Sequence, residues 1–165
     1  MDEKIFEQTR NFWGDAVRRG NLLYPNDKVI RFMKRNFKNP SKTTVLDFGC
    51  GGGRNSLALA CEGYRVIAMD YTDTAMEMTT EKLHGMGNVS IMQNKGLDIP
   101  LEDSSVDAIV ADGSLFYNNL TNTAKLLGNL KKTLKPGGLM WADFRSTEDS
   151  LYRGGVSIRR FLFYA

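Results

Sequence analysis

One stretch, Val45-Leu46-Asp47-Phe48-Gly49-Cys50-Gly51-Gly52-Gly53-Arg54-Asn55-Ser56-Leu57-Ala58-Leu59-Ala60, constrains the fold more than any other part of this 165-residue chain. A short apolar run ends at an acid, glycines occupy positions 49, 51, 52 and 53, and a leucine- and alanine-rich stretch follows at once. This is the pattern of a strand, a tight loop and a helix. Glycines there let the backbone turn sharply and bring a ligand against its amides, because no Cβ stands between them. A tight turn without a ligand needs fewer glycines, so a nucleotide-like ligand is expected.

The rest of the chain repeats the alternation. Candidate strands are residues 43–48, 64–70, 89–93, 106–111 and 138–144, and helical stretches at about 53–62, 72–84 and 120–134 lie between them. The last helix is stopped by Lys135-Pro136-Gly137-Gly138. Strands alternating with helices predict an α/β fold with a mainly parallel sheet. Right-handed crossovers then put ligands at the carboxyl ends of the strands, where the glycine loop falls. Two helices precede this core, one over about residues 3–18 and one after Tyr24-Pro25-Asn26-Asp27, where a proline and a capping side chain favour a helix start. The chain reads as a single domain over 1–165: N-terminal helices in 1–42, a ligand-binding core in 43–144 and a tail in 145–165.

Bulk properties exclude several classes. No apolar run is long enough to span a bilayer, and the acidic start MDEKIFEQTR lacks the basic and apolar regions of a signal peptide. The expectation is a cytoplasmic protein without a membrane partner. Cys50 and Cys61 have no CxxC spacing and His84 is the single histidine, so no metal site is expected and reduced thiols are favoured. His84 precedes Gly85 at a predicted helix end, a structural position. Residues 1–42 hold ten Lys/Arg against five Asp/Glu. Lys28, Arg31, Arg35 and Lys38 recur at helical spacing, a strip that reads as a solvated helix face opposite the apolar Val29, Ile30, Met33 and Phe37. Nucleic acid is not the expected partner, since no aromatic-basic platform accompanies the strip.

A dinucleotide fits the loop poorly: GxGxxG starting at Gly49 requires glycine where Arg54 stands, and starting at Gly51 it meets Ser56. The segment VLDFGCGGG instead resembles the first motif of class I S-adenosylmethionine-dependent methyltransferases, an acid followed by GxGxG. The resemblance continues through Asp70 at the end of YRVIAMD, LDIPLEDSSVDAIVA, ADGSLFYNN and KKTLKPGGLMWADF, covering about residues 43–144. It implies a Rossmann-like three-layer sandwich with strand order 3-2-1-4-5, and S-adenosylmethionine as cofactor with S-adenosylhomocysteine as product. By the same resemblance Asp70, followed by Tyr71, grips the ribose hydroxyls, a task that suits a carboxylate because it accepts both hydroxyl hydrogens. Asp98 meets the adenine amino group with Ile99 on the ring, and Asp112, Gly113 and Ser114 line the methionine end. Asp47, Gly49, Cys50 and Gly51 belong to the loop itself. Arg54 has two readings, the cofactor carboxylate or solvent, and Asn55 either binds the ligand or satisfies amides at the helix start.

The methyl group on a sulfonium is already activated, so the protein mainly aligns a nucleophile and excludes water. A hydroxyl or a protonated nitrogen also needs a base. The catalytic residue is not identified by the sequence; Tyr117 is the candidate to orient an acceptor or act as base, and Tyr24 and Trp13 are candidates to close over the cofactor. No NPPY- or DPPY-type signature follows the fourth strand, and neither cysteine sits where a pyrimidine C5 methyltransferase keeps its nucleophile. The expectation is methyl transfer to an O, N or S nucleophile of a small-molecule acceptor; the alternative is a non-catalytic S-adenosylmethionine-binding module or subunit. The family's sheet continues past its fifth strand with a helix and an antiparallel strand pair, whereas only EDSLYRGGVSIRRFLFYA remains here. The final strands are therefore expected to be missing, as in a fragment of a longer enzyme, or supplied by a homodimer through the C-terminal edge.

Overall fold

The computed structural model describes residues 3–20, 22–145 and 158–164. Helices α1 (Glu3–Arg19) and α2 (Asp27–Asn36) lead into β1 (Thr44–Phe48), α3 (Arg54–Cys61), β2 (Arg65–Asp70), α4 (Asp73–Lys82), β3 (Val89–Gln93), β4 (Val106–Ala111), α5 (Leu120–Thr133), β5 (Leu134–Arg145) and β6 (Ile158–Tyr164). The sheet runs in the order β3-β2-β1-β4-β5-β6. Its first five strands are parallel to their neighbours, and β6 is antiparallel to β5. The expected order 3-2-1-4-5 is borne out.

The central strands are buried on both faces, which is why they read as near-continuous apolar runs. Successive side chains point to opposite faces, and the core divides accordingly. Leu46, Phe48, Ile109 and Ala111 pack with Leu126, Leu130 and Met140, while Val45, Ala108 and Val110 pack with Val29, Phe32, Met33, Leu59, Tyr64 and Trp141. The apolar stripe of α2 thus covers one side of the sheet and α5 the other. Asn26 caps α2, its side chain accepting from Lys28 N at 3.1 Å, as the Pro25-Asn26-Asp27 signal predicts.

Two features correct the sequence reading. The Lys135–Gly138 turn lies inside β5: Val106 pairs with Leu134 but Ala108 pairs with Leu139, so two steps of β4 face five of β5 across a register irregularity. Gly138 is held there because a Cβ would stand 2.9 Å from Lys135 O and 3.1 Å from Asp107 O. The second correction concerns the tail. Residues 158–164 form a strand of this chain, with Leu139 opposite Tyr164 and Arg145 opposite Ile158. One antiparallel strand is therefore present rather than missing or borrowed, because the run IRRFLFY, rich in strand-favouring residues, pairs with the otherwise open edge of β5. No described helix is long and apolar enough to cross a membrane.

Candidate functional site

A cavity of about 460 Å³, within the range of small-molecule sites, opens at the carboxyl ends of the strands. It lies where the strand order reverses between β1 and β4, the position expected for ligands of open α/β sheets. Gly49, Cys50, Gly51 and Gly52 form its floor, α3 adds Arg54 and Asn55, the end of β2 adds Asp70, Tyr71 and Thr72, and the segment after β4 adds Asp112, Gly113, Ser114 and Asn118. Phe48 and Leu126 supply apolar wall, and Trp13, Ala16 and Val17 of α1 close one side.

The loop has this shape for steric reasons. Gly49 adopts φ +71, and a Cβ there would collide with the Ser114 side chain. Only glycine lets the two loops meet. Gly53, at φ +76, begins α3, and a Cβ on it would stand 3.0 Å from Thr79 Oγ1. Thr79 in turn donates to Gly51 O at 2.8 Å, bracing the loop from α4.

Three carboxylates surround the cavity. Asp47 lies beneath it, 1% exposed, and accepts from Ser56 Oγ at 2.5 Å. Burial is the main force pushing its pKa up to about 7, opposed by the Ser56 bond, with the nearby Asp112 charge adding to the rise. Asp70 accepts from Gly51 N at 3.1 Å, Thr72 N at 2.9 Å and Thr72 Oγ1 at 3.0 Å. Burial raises its pKa against these bonds. Thr72 also caps α4 through Ala75 N at 3.2 Å, so Asp70 is not needed as the cap. Asp112 accepts from Arg54 Nη2 at 2.8 Å, Asn55 Nδ2 at 2.8 Å and Asn26 Nδ2 at 2.9 Å. Burial drives the Cys50 thiol and the Tyr71 phenol upward, with the Asp47 and Asp70 charges adding to the first and the Asp70 charge to the second. Both are neutral at physiological pH.

Most of the expected site residues come together. Gly49, Cys50, Gly51, Arg54, Asn55, Asp70, Tyr71, Asp112, Gly113 and Ser114 line the cavity, and Asp47 supports it from below. Asp98 and Ile99 do not line it. Asp98 is exposed with its amide bonded to Lys95 O at 3.1 Å, and Ile99 packs against the core beside α5. Asn94, Gly96 and Leu97 face the cavity instead. The signal for Asn94 is its place one residue beyond β3, level with the end of β2: Asp70 pairs with Gln93, and Asn94 N donates to Asp70 O at 3.2 Å. Tyr24 is 82% exposed and touches the site only through its carbonyl, held by Arg54 Nη1 at 3.0 Å. Tyr117 ends a short 3-10 turn, Leu115–Tyr117; its side chain lies outside the described residues. Asn26, 86 positions from Asp112, reads along the chain only as a helix cap. Among the described residues no cluster of three or more His, Cys, Asp or Glu is placed to hold a metal.

The donor set fits a sulfonium nucleoside. Asp70 and Asp112 face the cavity against one cation, Arg54, which favours a ligand carrying positive charge. Ser114 Oγ is buried without a partner on the lining. A buried hydroxyl of this kind is satisfied by a bound polar group. The amides of Gly49, Cys50, Gly51 and Gly53 are held within the chain, so further donors come from the first turn of α3.

Comparison with known proteins agrees with this chemistry. A family model described as a methyltransferase domain matches residues 45–138. The demethylmenaquinone methyltransferase of Clavibacter sepedonicus is 31% identical over 115 residues, covering 69% of this chain and 46% of the relative. Phosphoethanolamine N-methyltransferase 1 of Triticum aestivum is 36% identical over 121 residues, covering 71% of this chain and 23% of the relative. The chain thus spans less than half the length of these two relatives. The crystal structure of an S-adenosylmethionine-dependent methyltransferase from Aquifex aeolicus superposes with a TM-score of 0.68 at 24% identity, over 82% of this chain and 74% of that one, a likeness of fold. Since the family match takes in more than half of the sequence and falls on the loop, strands and cavity just described, the chain belongs to the methyltransferase domain family, in its class I, S-adenosylmethionine-dependent branch.

Proposed function

We propose that the chain transfers the methyl group of S-adenosylmethionine to an oxygen, nitrogen or sulfur nucleophile of a small-molecule acceptor. The observation that carries this reading is the cavity at the carboxyl ends of the strands, where the glycine loop, Asp70 and Ser114 with its unpartnered Oγ meet. The names of the two relatives, with demethylmenaquinone and phosphoethanolamine as acceptors, support the small-molecule class. The bound cofactor would supply the activated methyl; the chain's residues bind, orient and exclude water.

Asp70 would hold a ribose hydroxyl. Its carboxylate already accepts three bonds, leaving acceptor capacity for one more. At the adenine end we assign Asn94, Gly96 and Leu97 in place of Asp98 and Ile99, because they line the cavity. Arg54, Asn55, Asp112, Gly113 and Ser114 would take the methionine end, Arg54 meeting its carboxylate and Asp112 its ammonium. Trp13 and Val17 of α1 would shield the methyl from water. A homodimer contact would fall on the outer side of β6, one of the sheet's two edge strands among the described residues.

Calorimetric titration with S-adenosylhomocysteine tests the reading. Saturable binding is expected in the native chain and at least about tenfold weaker binding in Asp70→Ala, since a charge-assisted bond is worth about 1.5–3 kcal/mol. A folded chain that binds no S-adenosylhomocysteine refutes it.

A further inference from the structure

Between α1 and α2 the chain exposes three consecutive large apolar side chains. Leu22 is 59%, Leu23 72% and Tyr24 82% exposed. The segment is nonetheless pinned: Arg54 holds Tyr24 O at 3.0 Å, and the amide of Asn26 donates to Asn55 Oδ1 at 2.9 Å. A held loop that presents apolar groups to water is the mark of an interaction surface.

Charge identifies what it meets. Between positions 18 and 38 seven Lys/Arg accompany one acid, Asp27. Asp27 pairs with Arg31, and Glu62 from just beyond α3 pairs with Lys34. Arg18 and Arg19, in the last turn of α1, and Lys28 and Arg35 on α2 are exposed without an ion-pair partner among the described residues. Arg18, Arg19 and Lys28, each no more than four residues from the apolar tip along the chain, therefore put unneutralised cations on both sides of it, and Arg35 adds a further one on α2.

We propose that this loop docks the protein on an anionic lipid surface. Leu23 and Tyr24 enter the headgroup region, and the flanking cations bind lipid phosphates. Leu22 both belongs to the loop and lines the cavity, so docking places the cavity mouth at the bilayer. Docking of this kind needs no spanning helix, and none of the described helices is long and apolar enough to be one. An acidic protein surface fits the charge but not the adjacent apolar tip as well as a bilayer, which offers anionic headgroups directly above hydrocarbon.

Co-sedimentation with vesicles tests the proposal. One set is phosphatidylcholine alone, the other phosphatidylcholine and phosphatidylglycerol in equal parts. The protein is expected on the anionic vesicles, with binding that weakens as salt is raised and falls about tenfold or more in a Leu23→Ser/Tyr24→Ser double variant. Neither side chain lines the cavity, so the variant should bind S-adenosylhomocysteine as the native chain does, which verifies its folding and separates this test from that of the cofactor site. Absence from anionic vesicles, equal binding to neutral ones, or full binding by the variant overturns the proposal; in the first case the loop falls to a protein partner.

Discussion

Replacing Gly49 by alanine imposes two separable penalties on the folded chain. The backbone sits at φ +71, a region that costs an L-residue about 1–2 kcal/mol. The new Cβ would also overlap Ser114 Cβ, closer than the 3.0 Å that real Cβ contacts respect, and overpacking of this kind costs about 1–3 kcal/mol. Together they amount to about 2–5 kcal/mol, or roughly 4–20 °C in Tm for a chain of this length. Gly113 provides the control, because it has φ +70 and an added Cβ would meet nothing within 4 Å; Gly113→Ala should lose only the backbone part. Removing the obstacle by Ser114→Gly should return the steric part of the Gly49→Ala loss, visible as favourable coupling in a double-mutant cycle. The assay is thermal and urea unfolding of these variants without ligand. If Gly49→Ala is no more destabilised than Gly113→Ala, or if Ser114→Gly gives no coupling, the contact between the two loops does not explain the glycine.

Other expectations follow from the same geometry. Asp47 has a folded pKa raised to about 7 above an unfolded value near 4, so the folded state binds the extra proton between these limits and stability falls as pH rises through that window. Asp47→Asn should flatten that fall, measured by urea midpoints from about pH 4 to pH 7.5; parallel curves would contradict the assignment. Asp112→Ala leaves Arg54, Asn26 and Asn55 without their shared acceptor. It should cost about 2–4 kcal/mol and accelerate amide exchange at the start of α2; unchanged exchange there would show that the network does not hold the helix. Thr72→Ala removes both the α4 cap and a donor to Asp70. A loss of about 1 kcal/mol with weaker S-adenosylhomocysteine binding is expected, and Thr72→Ser should restore both; failure of serine to restore would point to packing by the methyl group instead.

The parts of the site that are legible along the chain are those in which one local segment carries the whole signal. Asp47 and Asp70 lie at the ends of β1 and β2 and the glycine loop follows β1, each strand's apolar run marking its own end, and the strand boundaries fall within a residue of the pattern for β1 to β4. Asp98 is picked out over Asn94 in the sequence by the family resemblance of LDIPLEDSSVDAIVA. Which of them lines the cavity depends on where β3 stops beside β2, and with Asp70 paired to Gln93 it is Asn94 that does. The same limit applies to the network of Asn26, Arg54 and Asp112: along the chain Asn26 reads as a helix cap, Arg54 as a partner of the cofactor carboxylate or a solvated cation, and Asp112 by resemblance as part of the methionine end, and they meet only in three dimensions.

The chain's sequence by itself determined the α/β class and the place of the glycine loop, because periodicity and glycines are local properties of consecutive segments; the strand order came with the family resemblance of its motifs. Tertiary structure alone decided the rest: that residues 158–164 close the edge of β5, that Gly49 must be glycine on account of Ser114, and that Leu22, Leu23 and Tyr24 stand in solvent beside the cavity. These are matters of distance between remote residues, which no pattern along the chain encodes.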